Sequence, residues 1–166
     1  MLTITTIAGN IFHDKELMNK FKQMESQKKC ERMKIPRHEL ERGRIRKITD
    51  FGTDIGLILN SQLYHGDVIV ADQERFIIVE QIPEKVISIK IENLRDNPDN
   101  LITLGHIIGN RHKPIMINNN ILSFPIHSDS EVEVFKKLLS GIINNSEFVV
   151  EEQIFQPQHG MYMHEH

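Results

Sequence analysis

Along the first half of the chain, apolar residues recur at every second position or in short solid runs. Leu2-Thr3-Ile4-Thr5-Thr6-Ile7 alternates until Ala8-Gly9-Asn10 closes it. Arg44-Ile45-Arg46-Lys47-Ile48-Thr49 and Asp54-Ile55-Gly56-Leu57-Ile58-Leu59 are separated by Asp50-Phe51-Gly52-Thr53, and Val68-Ile69-Val70 leads through Asp72-Gln73-Glu74 to Phe76-Ile77-Ile78-Val79. Short runs of this kind, bounded by Gly and Asp turns, predict an antiparallel sheet. Asp14 to Lys29 is polar and reads as one loose helix or a long connection. Residues 1–82 are therefore expected to form a small all-β domain.

The pattern changes after Gln81-Ile82-Pro83-Glu84. Ile87, Ile89 and Ile91 alternate with Ser88 and Lys90, so the isoleucines share one strand face. Asn97-Pro98-Asp99 then reads as a helix start: an N-cap, a proline at the first helical position and an acid at the positive helix end. Leu101, Leu104 and Ile108 follow at helical spacing, with Gly109-Asn110 as the expected left-handed stop. Asn118-Asn119-Asn120 between Ile115-Met116-Ile117 and Ile121-Leu122-Ser123-Phe124 reads as a hairpin. Ser128 and Glu131 have capping-box spacing, and Val134, Phe135, Leu138 and Leu139 form an apolar stripe ending at Gly141. Glu147-Phe148-Val149-Val150 supplies a last strand. The order β-α-β-β-α-β is that of the split βαβ, or ferredoxin-like, arrangement, with both helices on one face of a four-stranded sheet. The overall expectation is an α+β chain: an all-β domain at 1–82, a ferredoxin-like domain at 83–155, and a flexible tail at 156–166.

Composition narrows the function. The 166 residues carry a formal net charge of -3, which argues against a general nucleic-acid binder. No stretch approaches the length of a membrane span, and Met1-Leu2-Thr3-Ile4-Thr5 lacks the basic and apolar regions of a secretory signal. A single cysteine, Cys30, excludes an intrachain disulfide and points to the cytoplasm. The distinctive count is nine histidines against two tyrosines and no tryptophan.

Three of those histidines, His159, His164 and His166, crowd the last residues together with Met161 and Met163. Imidazole suits nickel, zinc and copper, and thioether suits copper(I), so the tail is either a ligand arm or a solvated terminus. His112 lies in a turn after a helix, where histidine is ordinarily structural or exposed, and His127 precedes the second helix of its domain. Both are candidate ligands. His106, six residues before His112, lies on a different helical face and reads as hydrogen-bonded or partly buried. His13, His38 and His65 read as surface residues, Arg42, Arg44 and Arg46 as one solvated strand face, and Cys30 as an isolated thiol. No Walker-type loop, G-x-S-x-G or H-E-x-x-H occurs. An acylphosphatase-type hydrolase would want a glycine-rich anion loop where the chain has Glu92-Asn93-Leu94-Arg95-Asp96-Asn97. The chain therefore reads as no enzyme.

The segment Leu104-Gly105-His106-Ile107-Ile108-Gly109-Asn110-Arg111-His112-Lys113-Pro114 resembles the G-N-R-H-x-P element of the UreE urease accessory proteins. Arg44 to Gly56 is similar to that family's R-x-R-x-x-T-D-x-G-x-[DE]-[IV]-G strand pair, and His65-Gly66-Asp67-Val68-Ile69 to its G-D-[IV]-L turn. The resemblance runs from Leu2 to about Phe155.

The resemblance implies a β-rich partner-binding domain and a ferredoxin-like metal-binding domain. His112 becomes the principal ligand, two copies meeting across the two-fold axis of a homodimer to share one Ni2+ ion. It also implies delivery of nickel to apo-urease, together with other accessory proteins that include a GTPase. A site built from exchangeable histidines releases its ion more readily than a closed four-ligand cage. The chain departs from some members in having only His127 where they carry a histidine pair, and in its short tail. Storage or sensing of Zn2+ or Cu2+ through the same histidines is the competing expectation.

Overall fold

The structure is a computed structural model that describes residues 1–144 and 147–158. It divides into two compact units, Met1–Ile82 and Pro83–His166.

The first unit contains strands β1 (Leu2–Ile4), β2 (Gly9–Asn10), β3 (Cys30–Ile35), β4 (Arg44–Ile48), β5 (Asp54–Ile58), β6 (Asp67–Ala71) and β7 (Phe76–Gln81), with helices α1 (Lys15–Ser26) and α2 (Arg37–Leu40). β1, β5 and β4 form one sheet, and β2, β6, β7 and β3 a second. Ile4, Ile45, Ile55 and Leu57 from the first share a core with Met33, Ile35, Ile69, Ile77 and Val79 from the second. The opposite face of the second sheet, with Cys30, Val68, Phe76 and Ile78, is covered by Leu17, Met18, Phe21 and Met24 of α1.

The unit is thus not all-β. Phe76-Ile77-Ile78-Val79 is solidly apolar because that strand is buried on both faces, and a sheet so placed needs a layer on each side. α1 supplies the missing layer with few apolar residues, at 17, 18, 21 and 24. Asp14 starts it, its carboxylate accepting from the N–H groups of Glu16 (2.8 Å) and Leu17 (3.1 Å). β3 escaped the pattern because charged residues interrupt it. Glu31 on that strand is buried, accepting from the Thr49 hydroxyl at 2.6 Å and facing Arg75 Nε at 3.4 Å. The Cys30 thiol is buried too, and desolvation pushes its pKa up to about 11.

The second unit holds β8 (Glu84–Lys90), a 3₁₀ turn (Glu92–Leu94), α3 (Pro98–Gly109), β9 (Met116–Asn118), β10 (Ile121–Pro125), α4 (Asp129–Leu139) and β11 (Phe148–Gln153). Its antiparallel sheet has the order β11-β8-β10-β9. Ile87, Ile89, Leu122 and Phe124 meet Leu104 and Ile108 of α3 and Val132, Phe135 and Leu139 of α4 in one core. Phe124 and Phe135 lie with ring centroids 4.6 Å apart. The inward stripe of α4 is therefore Val132-Phe135-Leu139, while Val134 and Leu138 are each 40% exposed. Asn119 (φ 49°) and Asn120 (φ 64°) make the two-residue turn between β9 and β10, both in the left-handed region that such a hairpin requires.

Two local expectations give way. Ser128 precedes α4 but makes no side-chain cap bond to it. Its hydroxyl is paired with that of Ser130 at 2.8 Å, and Glu131 reaches the His127 N–H instead. The segment after β11 is also more than a loose tail. Phe155 is fully buried, Pro157 is buried, and the Gln158 N–H donates to the Ile115 carbonyl at 3.1 Å. Since β11 and β9 are opposite edges of the sheet, residues 154–158 strap across its width, about 14 Å at the usual strand spacing. His159, His164 and His166 lie outside the described residues.

Candidate metal centre

α3 begins as its sequence implies, with the Asn97 side chain accepting from the Asn100 N–H at 3.3 Å and Pro98 at the first position. Its end is different. Asn110 keeps a helical φ of -60°, and Gly109 is not among the glycines with positive φ. The left-handed residue is His112, at φ 52°. The His112 N–H donates to the Gly109 carbonyl at 2.9 Å and the Lys113 N–H to the Ile108 carbonyl at 3.4 Å. These are the two bonds of a Schellman turn, and they put His112 at the position glycine usually fills. An L-residue there costs about 1 kcal/mol or more, so the fold carries strain at this imidazole.

The neighbours of His112 are tied down while His112 itself is exposed. The Arg111 guanidinium sits 5.7 Å above the Phe135 ring. Lys113 Nζ lies 2.7 Å from Glu131 Oε2, with the lysine side chain only 10% exposed. Pro114 is buried. Two of these tethers reach α4, at Glu131 in its first turn and Phe135 in its second. Burial alone would raise the pKa of the Glu131 carboxyl, but the Lys113 ammonium and the His127 N–H hold it below the ordinary value.

His127 is exposed and follows Ile126, whose N–H donates to Lys85 O at 3.0 Å. It therefore leaves the sheet at the end where β8 starts and β10 stops. β9 starts at that same end, three residues after Lys113, and so do the strap and its bond to Ile115. The fold thus brings the His112 turn, the His127 turn and the exit of the C-terminal residues to one end of one sheet. His106 is not part of it. Its Nε2 is 2.9 Å from Asn110 Nδ2, along the exposed side of α3. Among the described residues, no three His, Cys, Asp or Glu side chains converge as a metal site within this one chain.

Elsewhere, His13 and His38 are exposed as expected, but His65 is half-buried. Its ring stacks against Phe12 at 5.3 Å, and its Nδ1 accepts from the Gln81 N–H at 3.2 Å. Burial lowers its pKa from 6.5, with Glu80 opposing the shift. Arg44 and Arg46 are exposed on β4, and Arg46 forms a two-pronged pair with Asp54 at 2.9 and 3.0 Å. Sequence reasoning missed Lys113, Glu131 and Phe135 as supports of the His112 turn. The available signal was a histidine flanked on both sides by cations, which need somewhere else to go.

Fold and site define a two-domain α+β protein that displays histidines at one end of the sheet of its second unit. The chain belongs to the UreE family of urease accessory proteins: the family's N-terminal domain profile matches residues 4–81 and its C-terminal domain profile residues 84–166. Relatives named urease accessory protein UreE include that of Natronomonas pharaonis, 26% identical over 136 residues, which covers 80% of this chain and 63% of that protein. The Lysinibacillus sphaericus relative is 33% identical over 121 residues, 72% of this chain and 74% of its own. One from Staphylococcus aureus is 30% identical over 115 residues, 68% and 69% respectively. Those names describe proteins accessory to urease. Among the described residues, no helix is long and apolar enough to cross a membrane.

Proposed function

We propose that this protein is a cytoplasmic nickel metallochaperone that carries Ni2+ to apo-urease, with the ion as cargo. The observation that carries the reading is His112 itself, exposed in a strained left-handed turn whose neighbours are anchored inward. Strain of this kind persists where the surrounding structure over-determines it, and it clusters at binding sites. A residue that served only to end the helix would be glycine or asparagine.

Imidazole is a suitable nickel donor, but one imidazole is not a site. A second copy of the chain related by two-fold symmetry supplies a second His112. His159, His164 or His166 then complete the coordination and leave again at handover, with His127 as a further donor beside the turn. The second unit, with its order β11-β8-β10-β9, is read as the ferredoxin-like metal-binding domain. The first is read as the surface for urease and its other accessory proteins, including the GTPase. No residue makes or breaks a covalent bond in this scheme.

The test is calorimetric Ni2+ titration with light scattering, on the intact protein, His112→Ala and a chain ending at Gln158. The expected result is a dimer binding about one tight ion per two chains, abolished in His112→Ala and weakened by the truncation. Normal binding by His112→Ala sinks the assignment. Retention of nickel with no effect on urease activation in a reconstituted assay favours storage or sensing.

A further inference from the structure

A histidine meant to hold a divalent cation is here flanked by two cations, Arg111 and Lys113. Arg111 is exposed, with its guanidinium laid over Phe135 and its charge screened by water and salt. Lys113 is the harder case. Its side chain is nearly out of water, so its charge reaches neighbouring groups with little screening. Glu131 Oε2 meets that ammonium at 2.7 Å, while Oε1 of the same carboxylate accepts from the His127 N–H at 3.4 Å.

Resting on the reading of His112 as a nickel ligand, we propose that Glu131 is a positioning residue for the His112 site. Its carboxylate, clamped between Lys113 and the His127 backbone, draws the adjacent ammonium toward α4 and cancels its repulsion of the incoming ion. Neither residue touches the metal. The pair sets the local potential and the facing of the turn that does.

The experiment is Ni2+ titration of the full-length protein at low and high NaCl, comparing wild type, Lys113→Met, Glu131→Gln, the double variant and His112→Ala. Glu131→Gln keeps an acceptor for the His127 N–H but loses the charge. Affinity falls about tenfold at low salt, the usual scale for partners that support a ligand without binding the ion. Lys113→Met leaves the carboxylate without its cation, and nickel binds on the order of threefold more tightly at low salt, a gain that disappears at high salt. The double variant returns to within about threefold of wild type.

Glu131→Gln strands a nearly buried ammonium and is the variant at risk of unfolding. Lys113→Met strands the less buried partner, 28% exposed against 10% for the lysine, and so carries the test at lower risk, and a purely structural role for the pair gives no tightening there. Unchanged or weaker binding by Lys113→Met overturns the proposal, as does a double variant no better than a folded Glu131→Gln. If His112→Ala also binds normally, the nickel-site reading itself has failed, which is a separate result.

Discussion

Glu131 Oε2 and Lys113 Nζ lie 2.7 Å apart, joining the first turn of α4 to the residue that follows the exposed His112. The carboxylate that capping-box spacing assigns to the start of its own helix instead secures the end of another. His112 is thereby presented by two helices at once, since the strained turn belongs to α3 and its tether to α4.

The first prediction concerns that strain. His112→Gly relieves a left-handed φ of 52° and should raise unfolding free energy by about 1 kcal/mol while removing the imidazole. His112→Ala should give no such gain. Urea denaturation of the two variants beside wild type separates them, and a His112→Gly protein less stable than wild type contradicts the turn geometry.

The strap yields a second. A chain ending at Gln158 keeps Phe155, Pro157 and the bond to Ile115, and serves as the reference. A chain ending at Ile154 loses the fully buried Phe155 and should be destabilised by about 3 kcal/mol or more. Equal midpoints for the two truncations in urea contradict the anchoring.

His65 makes the fold sensitive to acid. Its pKa is lower folded than unfolded, so the unfolded chain takes up a proton first as pH falls through 6.5. The unfolded state then binds more protons, and stability falls with pH. The contribution is complete above that value and is lost below it. Protonation of Nδ1 also sets a donor against the Gln81 N–H. His65→Asn, which retains an acceptor, should lose less stability than wild type between pH 7.5 and 5.5. Parallel losses in denaturation curves rule this out.

Cys30 should be inert while the protein is folded. Burial and a pKa near 11 leave little thiolate at pH 8. Labelling by a thiol reagent should wait for unfolding, and rapid stoichiometric modification of the native protein contradicts the burial.

Local chemistry determined much of this protein. Asn97-Pro98-Asp99 specifies a helix start through backbone and dipole preferences that need no partner. Asn119-Asn120 specifies a hairpin because both residues accept a left-handed φ. Ile87, Ile89 and Ile91 declare one buried face by period alone, and G-N-R-H-x-P marks the turn that holds His112. Tertiary structure decided what depends on a neighbour. α1 became a packing layer because Phe76 and Ile78 needed covering, which a window over Lys15–Ser26 does not contain. Glu131 chose Lys113, residues 154–158 chose the far edge of the sheet, and the left-handed position fell on His112 and not on Gly109. The reason is common to all of them. Dihedral preference and alternation act within a few residues, whereas a charge pair or a shared core forms only when the chain brings distant segments together.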